Sequence, residues 1–336
     1  MRGKKILVTG GLGFLGASLV KALQKQGHAV RVLDDASRGS ADRLEETAAA
    51  VEIVNGDIRD NETVRKAVQG VEAVFHLAAV NGTRHFYEKP GRVLEVGVKG
   101  TMMVLENCVK SGVKEFFFAS SSEAYQTPER VPTDESEPLR VPDPFNPRYS
   151  YGGSKILGEL LTIHGGGKEM ERSVIFRPHN VYGPAMGWDH VIPQLTARIL
   201  QLKASSPAGE IPLPIQGSGR EMRAFIYADD FTDALMTLFE KGEHMNIYHI
   251  GTMEMIPISE VAQRIARCLG VAVRLIAGKE APGGTPRRCP DTRKLQKLGF
   301  QPKISFDEGL RRTVEWYSKQ AWQDQDTKAG VELRSS

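Results

Sequence analysis

Tyr151 and Lys155 stand four positions apart in the stretch "SYGGSKILGE", a spacing that puts both side chains on one face of a helix. A free phenol titrates near ~10 and is a poor base at neutral pH; bringing it to ~7 takes about 4 kcal/mol of preference for the phenolate. An ammonium about 4 Å away, at an effective dielectric of ~20, supplies roughly that much. The pair is therefore suited to taking a proton from a hydroxyl. Gly152 and Gly153 each cost such a helix about 1 kcal/mol, and a slim backbone where a cofactor ring and a substrate approach would account for them. Tyr149 has no such partner, because residue 153 is glycine. For the bare pair, a solvated Tyr and Lys on an ordinary helix is the alternative.

A second pattern supplies an oxidant for that chemistry. In "VTGGLGFLG", Gly10, Gly13 and Gly16 recur every third residue between a strand and a helix, with Phe14 and Leu15 in the same turn. Glycine there lets the backbone turn sharply and approach a pyrophosphate, while the helix N-terminus offers oriented N–H groups. Asp34 closes the next strand, 18 residues past Gly16. A carboxylate there accepts hydrogen bonds from the ribose hydroxyls of NAD and repels the 2′-phosphate of NADP; Arg38 nearby leaves room for NADP. Asp57 and Ile58 end a third strand where an adenine edge would lie, although a plain turn explains them as well. Leu77, Ala78 and Ala79 of "FHLAA" end a fourth and complete the expected cofactor lining. An oxidised nicotinamide would add a second positive charge beside Tyr151.

These residues need a scaffold, and the chain spells one. "KKILVTGG", "AVRVLDD", "VEIVNGDIRD", "VEAVFHLAAV", "VKEFFFASSS" and "SVIFRP" read as strands. Helical stretches alternate with them, among them "LGASLVKALQKQG", "NETVRKAVQG" and "VLEVGVKGTMMVLENCVKSG". Such alternation predicts an α/β fold with a doubly wound parallel sheet of the Rossmann type. Residues 1–180 are expected to form the NAD-binding domain. Residues 181–318, richer in glycine and proline, are expected to form most of a smaller C-terminal substrate-binding lobe interleaved with the first. Residues 319–336 read as a fraying polar tail.

Composition excludes several other classes. The 336 residues carry 44 basic and 41 acidic side chains, a net charge of +3 with the signs interspersed, which argues against a nucleic-acid or membrane-surface partner. Cys108, Cys268 and Cys289 form no CxxC pair, so neither a disulfide framework nor a metal site is expected. The N-terminal apolar run is too short for a signal peptide, and no uncharged apolar run reaches ~20 residues. The expectation is a cytoplasmic enzyme.

"FASSSEAY" follows a strand at the sheet edge where ligands bind in such folds, and a serine hydroxyl there can hydrogen-bond the oxygen that loses its proton. Taken with the glycine turn, the Asp34 strand end, "FHLAA", the Tyr-x-x-x-Lys pair and "RPHNVYGP", it resembles the extended short-chain dehydrogenase/reductases of the nucleotide-sugar epimerase/dehydratase group. The resemblance spans about residues 4 to 317. It implies a bound NAD, a nucleotide-diphosphate sugar as substrate, a homodimer, and oxidation of the sugar at C4 with Tyr151 as base. Ser121 matches the family's triad hydroxyl. In the small lobe Asn180 and Arg223 resemble diphosphate contacts, Val191 lies in the nucleotide-facing segment His190–Pro193, and Arg287 or Arg288 adds a second arginine. Asn81 and Ser122 face the substrate by the same resemblance, and His85 and Tyr87 lie on the substrate loop.

The family diverges after oxidation. A 4-epimerase needs only return of hydride to the other face, whereas dehydratases and decarboxylases act beside the ketone and commonly use a carboxylate. Glu123 occupies the position of that carboxylate and leans the expectation toward chemistry at C5 or C6; capping or pairing with an arginine is its structural alternative. Ser122 stands where dTDP-glucose 4,6-dehydratases have aspartate, which puts that type in doubt. Gly97 and Gln126 replace an asparagine and a glycine of the usual pattern. A non-catalytic NAD-binding redox sensor or scaffold, using the same dinucleotide fold without turnover, is the reading from another class, and the Tyr151–Lys155 pair argues against it.

Overall fold

The computed structural model describes residues 3–205, 209–280 and 283–320. The expected tail therefore lies outside the described residues from 321 onward. In the first part of the chain, strands β1 (Lys5–Thr9), β2 (Ala29–Asp34), β3 (Val51–Asn55), β4 (Ala73–His76), β5 (Glu115–Ala119) and β6 (Arg172–Pro178) alternate with helices α1 (Phe14–Lys25), α2 (Asn61–Val68), α3 (Thr83–Glu88), α4 (Pro90–Leu94), α5 (Thr101–Lys110) and α6 (Ser150–His164). The second part adds β7 (Val181–Tyr182), β8 (Ile211–Ile215), β9 (Met222–Ala224), β10 (Ile226–Tyr227), β11 (Asn246–Ile250), β12 (Met255–Pro257), β13 (Val273–Ala277) and β14 (Arg287–Arg288). Its helices are α7 (Val191–Ser205), α8 (Ala228–Lys241), α9 (Ile258–Cys268), α10 (Arg293–Gln296) and α11 (Phe306–Ser318).

Seven strands form one parallel sheet in the order β11-β6-β5-β4-β1-β2-β3. Every residue of β5 is buried, as befits a strand covered by helices on both faces. One core gathers Leu19, Leu23, Phe75, Phe117 and Phe231 between the sheet and α1 and α8. On the opposite face Val64, Val104, Leu105 and Phe116 pack with α2 and α5. A third core gathers side chains of α7, α9, α11 and β8. The doubly wound Rossmann architecture read from the alternating pattern is the one observed.

Two elements differ from the sequence reading. The seventh strand, β11, comes from residues beyond 181 and pairs in parallel with β6. The helix expected across "VLEVGVKGTMMVLENCVKSG" is interrupted by a π-helical segment at Glu95–Gly100. Gly97 and Gly100 press there against neighbours: a Cβ would lie 2.6 Å from Ser154 Oγ at the first and 2.4 Å from Ile58 Cδ1 at the second. π-Bulges of this kind are frequent at functional sites.

β1 and β4 are neighbours in the sheet although α1, β2, β3 and α2 lie between them in the chain, so their C-terminal ends open a crevice at the switch point. Gly10 closes β1 with φ +73, and a Cβ there would stand 2.9 Å from Ala78 N. Phe117 anchors the strand that carries the serines, stacking on Phe75 at 4.4 Å and meeting Phe239 edge-on at 5.6 Å. Phe117→Ala is expected to lower stability by about 3–5 kcal/mol in urea unfolding followed by circular dichroism; a loss under about 1 kcal/mol would mean that this stack does not hold the strand end.

Candidate active site

The switch-point crevice deepens into a cavity of about 410 Å³ lined by residues from Gly10 to Arg288. Its upper wall is the glycine turn. Gly13 caps α1 without a side-chain hydrogen bond, and the first turn of that helix has no acidic residue. Helix geometry therefore leaves the amides of Phe14, Leu15 and Gly16 free of intrahelical acceptors and aimed at an anion. A Cβ on Gly16 would overlap Gly10 O at 2.1 Å, so the helix can pack this closely only with glycine. At the β2 end both oxygens of Asp34 take backbone amides, Leu12 N at 3.0 Å and Ala36 N at 2.9 Å. Burial raises the pKa of this carboxyl, and those two amides oppose the rise. Arg38 donates to the Asn81 carbonyl and bridges the second-strand loop to the substrate loop.

The floor is the end of β5 against α6. Tyr151 and Lys155 are 8% and 3% exposed. Lys155 Nζ donates to Ala119 O at 2.7 Å and lies 5.6 Å from the centre of the Tyr151 ring. The Ser121 hydroxyl faces the Tyr151 phenol across the cavity floor, and Phe86 of α3 stacks on the same ring at 4.9 Å. Burial pushes the phenol up to about 12, against the pull of the Ser121 hydroxyl, and pushes the Lys155 ammonium down to about 8. The expectation that the ammonium alone brings the phenol near neutrality does not hold. Desolvation outweighs it because Nζ is engaged with a backbone carbonyl and not with the phenolic oxygen.

The glycines between the pair have a different cause from the one the sequence suggested. A Cβ on Gly152 would meet Gln126 Nε2 at 2.4 Å and Glu123 O at 2.5 Å, whereas one on Gly153 would meet only Val141 Cγ2 at 3.7 Å. Gly152 thus lets α6 sit directly on the turn that carries Glu123. Gly153 has no close neighbour to avoid.

Glu123 is one-fifth exposed and pairs with Arg288, Oε1 to Nη1 at 2.8 Å; Arg148 Nη2 approaches the same oxygen at 3.9 Å. Burial would raise its pKa, yet Arg288, Arg148 and Arg223 together hold it below the ordinary carboxylate value. Arg288 and Arg223 are register partners on β14 and β9, so two guanidiniums face one carboxylate with Arg148 close by. Arg223 is pushed down to about 10, by burial first and then by Arg288.

The cavity brings together Gly10, Gly13, Phe14, Leu15, Gly16, Asp34, Asp57, Ile58, Leu77, Ala78, Ala79, Asn81, Ser121, Ser122, Glu123, Tyr151, Lys155, Asn180 and Arg288. Val191, Arg223, His85 and Tyr87 are absent from its lining. Val191 opens α7 and packs into the small-lobe core, leaving His190 to face the cavity. Arg223 gives Nη1 to Met222 O at 2.8 Å, and α3 presents Phe86 to the cavity. Sequence reasoning missed Arg148, Phe86 and Glu159. Only the last carried a signal, four residues past Lys155 on one helical face. Among the described residues no group of His, Cys, Asp and Glu gathers to hold a metal, and no helix is long and apolar enough to cross a membrane.

A family model described as the NAD dependent epimerase/dehydratase family matches residues 6–251. The chain belongs to that family. It is 31% identical to the UDP-N-acetyl-alpha-D-glucosaminuronate decarboxylase of Bacillus cytotoxicus, covering 94% of this chain and 98% of that one. Among solved structures, UDP-glucose 4-epimerase of Thermus thermophilus in complex with NAD superposes with a TM-score of 0.81 at 28% identity, covering 94% and 100%. The dTDP-glucose 4,6-dehydratase DesIV of Streptomyces venezuelae, with NAD bound, gives 0.82 at 29% identity, covering 94% and 97%. The protein is thus an NAD-dependent enzyme of this family, and the free amides, the slim turn and the Asp34 carboxylate fit that cofactor.

Gly152→Ala is expected to lower kcat more than tenfold with NAD affinity nearly unchanged, because it displaces the Glu123 turn. Gly153→Ala should leave both unchanged and stabilise the helix by up to about 1 kcal/mol. Turnover and NAD titration by fluorescence check this; weakened NAD binding in both variants would restore the cofactor-approach explanation.

Proposed function

We propose that the protein oxidises the C4 hydroxyl of a nucleotide-diphosphate sugar, with Tyr151 as the base, Ser121 holding the reacting oxygen and Lys155 supplying positive charge. The observation that carries this reading is that Ser121, Tyr151 and Lys155, all buried, line the same cavity as the glycine turn. NAD, when bound, would supply the hydride acceptor and an added positive charge beside Tyr151. The phenol needs that added charge, since burial holds it protonated in the free protein. Asn180, whose Nδ2 is fixed by Ala224 O at 2.8 Å, and Arg288 are assigned to the substrate diphosphate and sugar. Arg223, behind Arg288, acts on charge and not by contact.

For the step after oxidation we favour return of hydride to the opposite face, a 4-epimerisation. Elimination of water needs a proton for the departing C6 hydroxyl. Glu123 is held ionised by its arginines, and Ser122 offers only a weakly acidic hydroxyl. A second reading draws support from the same arginines: Arg288, backed by Arg223, suits a uronate whose C6 carboxylate lies beside the new C4 ketone. Such a β-keto acid loses CO2, the C5–C6 pair passing into an enolate that is then protonated at C5 and reduced at C4. The Bacillus relative is a decarboxylase by name. We further propose a cytoplasmic homodimer. The apolar side chains Leu157 and Leu160 of α6 and Met102 of α5, 41–47% exposed, form the face that a second copy would cover.

Incubation with UDP-, GDP-, dTDP- and CDP-sugars, with uronates among them, tests the reaction by product mass. Unchanged mass with inverted C4 is expected, or loss of CO2 from a uronate; a product lighter by water would overturn the reading of Glu123. Tyr151→Phe should lower kcat by about 10²–10⁴-fold while leaving nucleotide-sugar binding within a few-fold, measured by calorimetry. Full turnover in that variant would remove the phenol from the mechanism.

A further inference from the structure

Three consecutive residues at the end of β5 each meet α6. The Ala119 carbonyl accepts from Lys155 at 2.7 Å, the Ser120 hydroxyl donates to the Glu159 carboxylate, and the Ser121 hydroxyl faces the Tyr151 phenol. Residues 151, 155 and 159 follow one another at helical spacing, so a single stripe of α6 holds the whole strand end. Glu159 is only 2% exposed. Arg177 of β6 grips it as a fork, Nε to Oε1 at 2.8 Å and Nη2 to Oε2 at 2.6 Å. The other arm of Arg177 reaches the Tyr125 hydroxyl and, at 3.2 Å, the Glu135 carbonyl. Tyr125 in turn contacts His249 Nε2 at 2.6 Å. A carboxylate enclosed in this way cannot rotate out to water, and its charge stays one turn from Lys155.

We propose that Glu159 is a positioning residue of the reaction: through Ser120 it sets the Ser121 hydroxyl against Tyr151, and through its buried charge it keeps the Lys155 amine an ammonium. This rests on the reading of Tyr151 and Lys155 as the reacting pair. Burial pushes Lys155 down to about 8, and Glu159 is the group that opposes that fall. The other titratable groups around Lys155 cannot take its place. His76 at the end of β4 is neutral, held down to about 3 by burial and by Lys155 itself. Tyr151 is protonated, Glu123 lies beyond Tyr151 with its own arginines, and Arg177 carries the wrong sign. Loss of the Glu159 charge therefore lowers the Lys155 pKa, and the ammonium disappears at a lower pH.

The test is a carbon-13 NMR titration of protein labelled at the lysine ε-carbon, with the Lys155 resonance assigned by its absence in Lys155→Met. Glu159→Gln is expected to move the Lys155 midpoint down by roughly one pH unit or more. Because an unpaired buried Arg177 could unfold that variant, Glu159→Gln/Arg177→Met is titrated beside it, and its midpoint should also stay below that of the wild type. Ser120→Ala keeps the charge, so its Lys155 midpoint should stay within a few tenths of a unit while the Tyr151 phenolate appears at higher pH. If the double variant melts near the wild-type temperature with an unshifted Lys155 midpoint, Glu159 is a structural ion pair only and the proposal fails. The titration needs no substrate, so that failure would leave the assignment of Tyr151 to be judged by its own variant.

Discussion

A phenol and an ammonium are taken out of water together where β5 ends against α6, and that desolvation governs the site. An isolated buried charge is costly, so the lysine leans on a backbone carbonyl and the tyrosine stays neutral. The resting protein therefore holds an acid where catalysis wants a base. Positive charge arriving in the cleft above Tyr151 changes that balance, and coupling between an occupied cofactor site and a competent base follows from electrostatics alone.

The same constraint explains the crowding around the strand end. Ser121 has to stay within reach of Tyr151, and it does so because Ala119 and Ser120, the two residues before it, are pinned to the same helix. Gly152 lets that helix lie against the Glu123 turn, and Gly97 lets the π-helical segment lie against Ser154. Ser154 Oγ in turn donates to Tyr151 O at 2.7 Å. Small residues here create close approach between backbones, which fixes side chains more rigidly than longer contacts would.

Much of this was legible in the sequence because it depends on local spacing. The glycine turn, Asp34, the alternation of strands and helices and the Tyr151–Lys155 interval each follow from a period or a turn requirement, and the structure gathers those residues in one cavity. The positions that escaped depend on long-range contacts. Arg148 reaches Glu123 from 25 positions away in the chain. Val191 and Arg223 sit near the site, but their side chains turn into packing or toward carbonyls; a motif gives a neighbourhood and not a direction. Gly152 was misread for a related reason, since spacing reports that a side chain is missing without saying what presses on the gap.

The charge state of Tyr151 is the quantity on which the chemistry turns. Ultraviolet difference titration of the phenolate, wild type minus Tyr151→Phe, with and without oxidised NAD, reads it directly. Without NAD the phenolate should appear only toward pH 12; with oxidised NAD bound its midpoint should fall by several units, toward neutrality. An identical midpoint in the two states would contradict a base created by positive charge in the cleft.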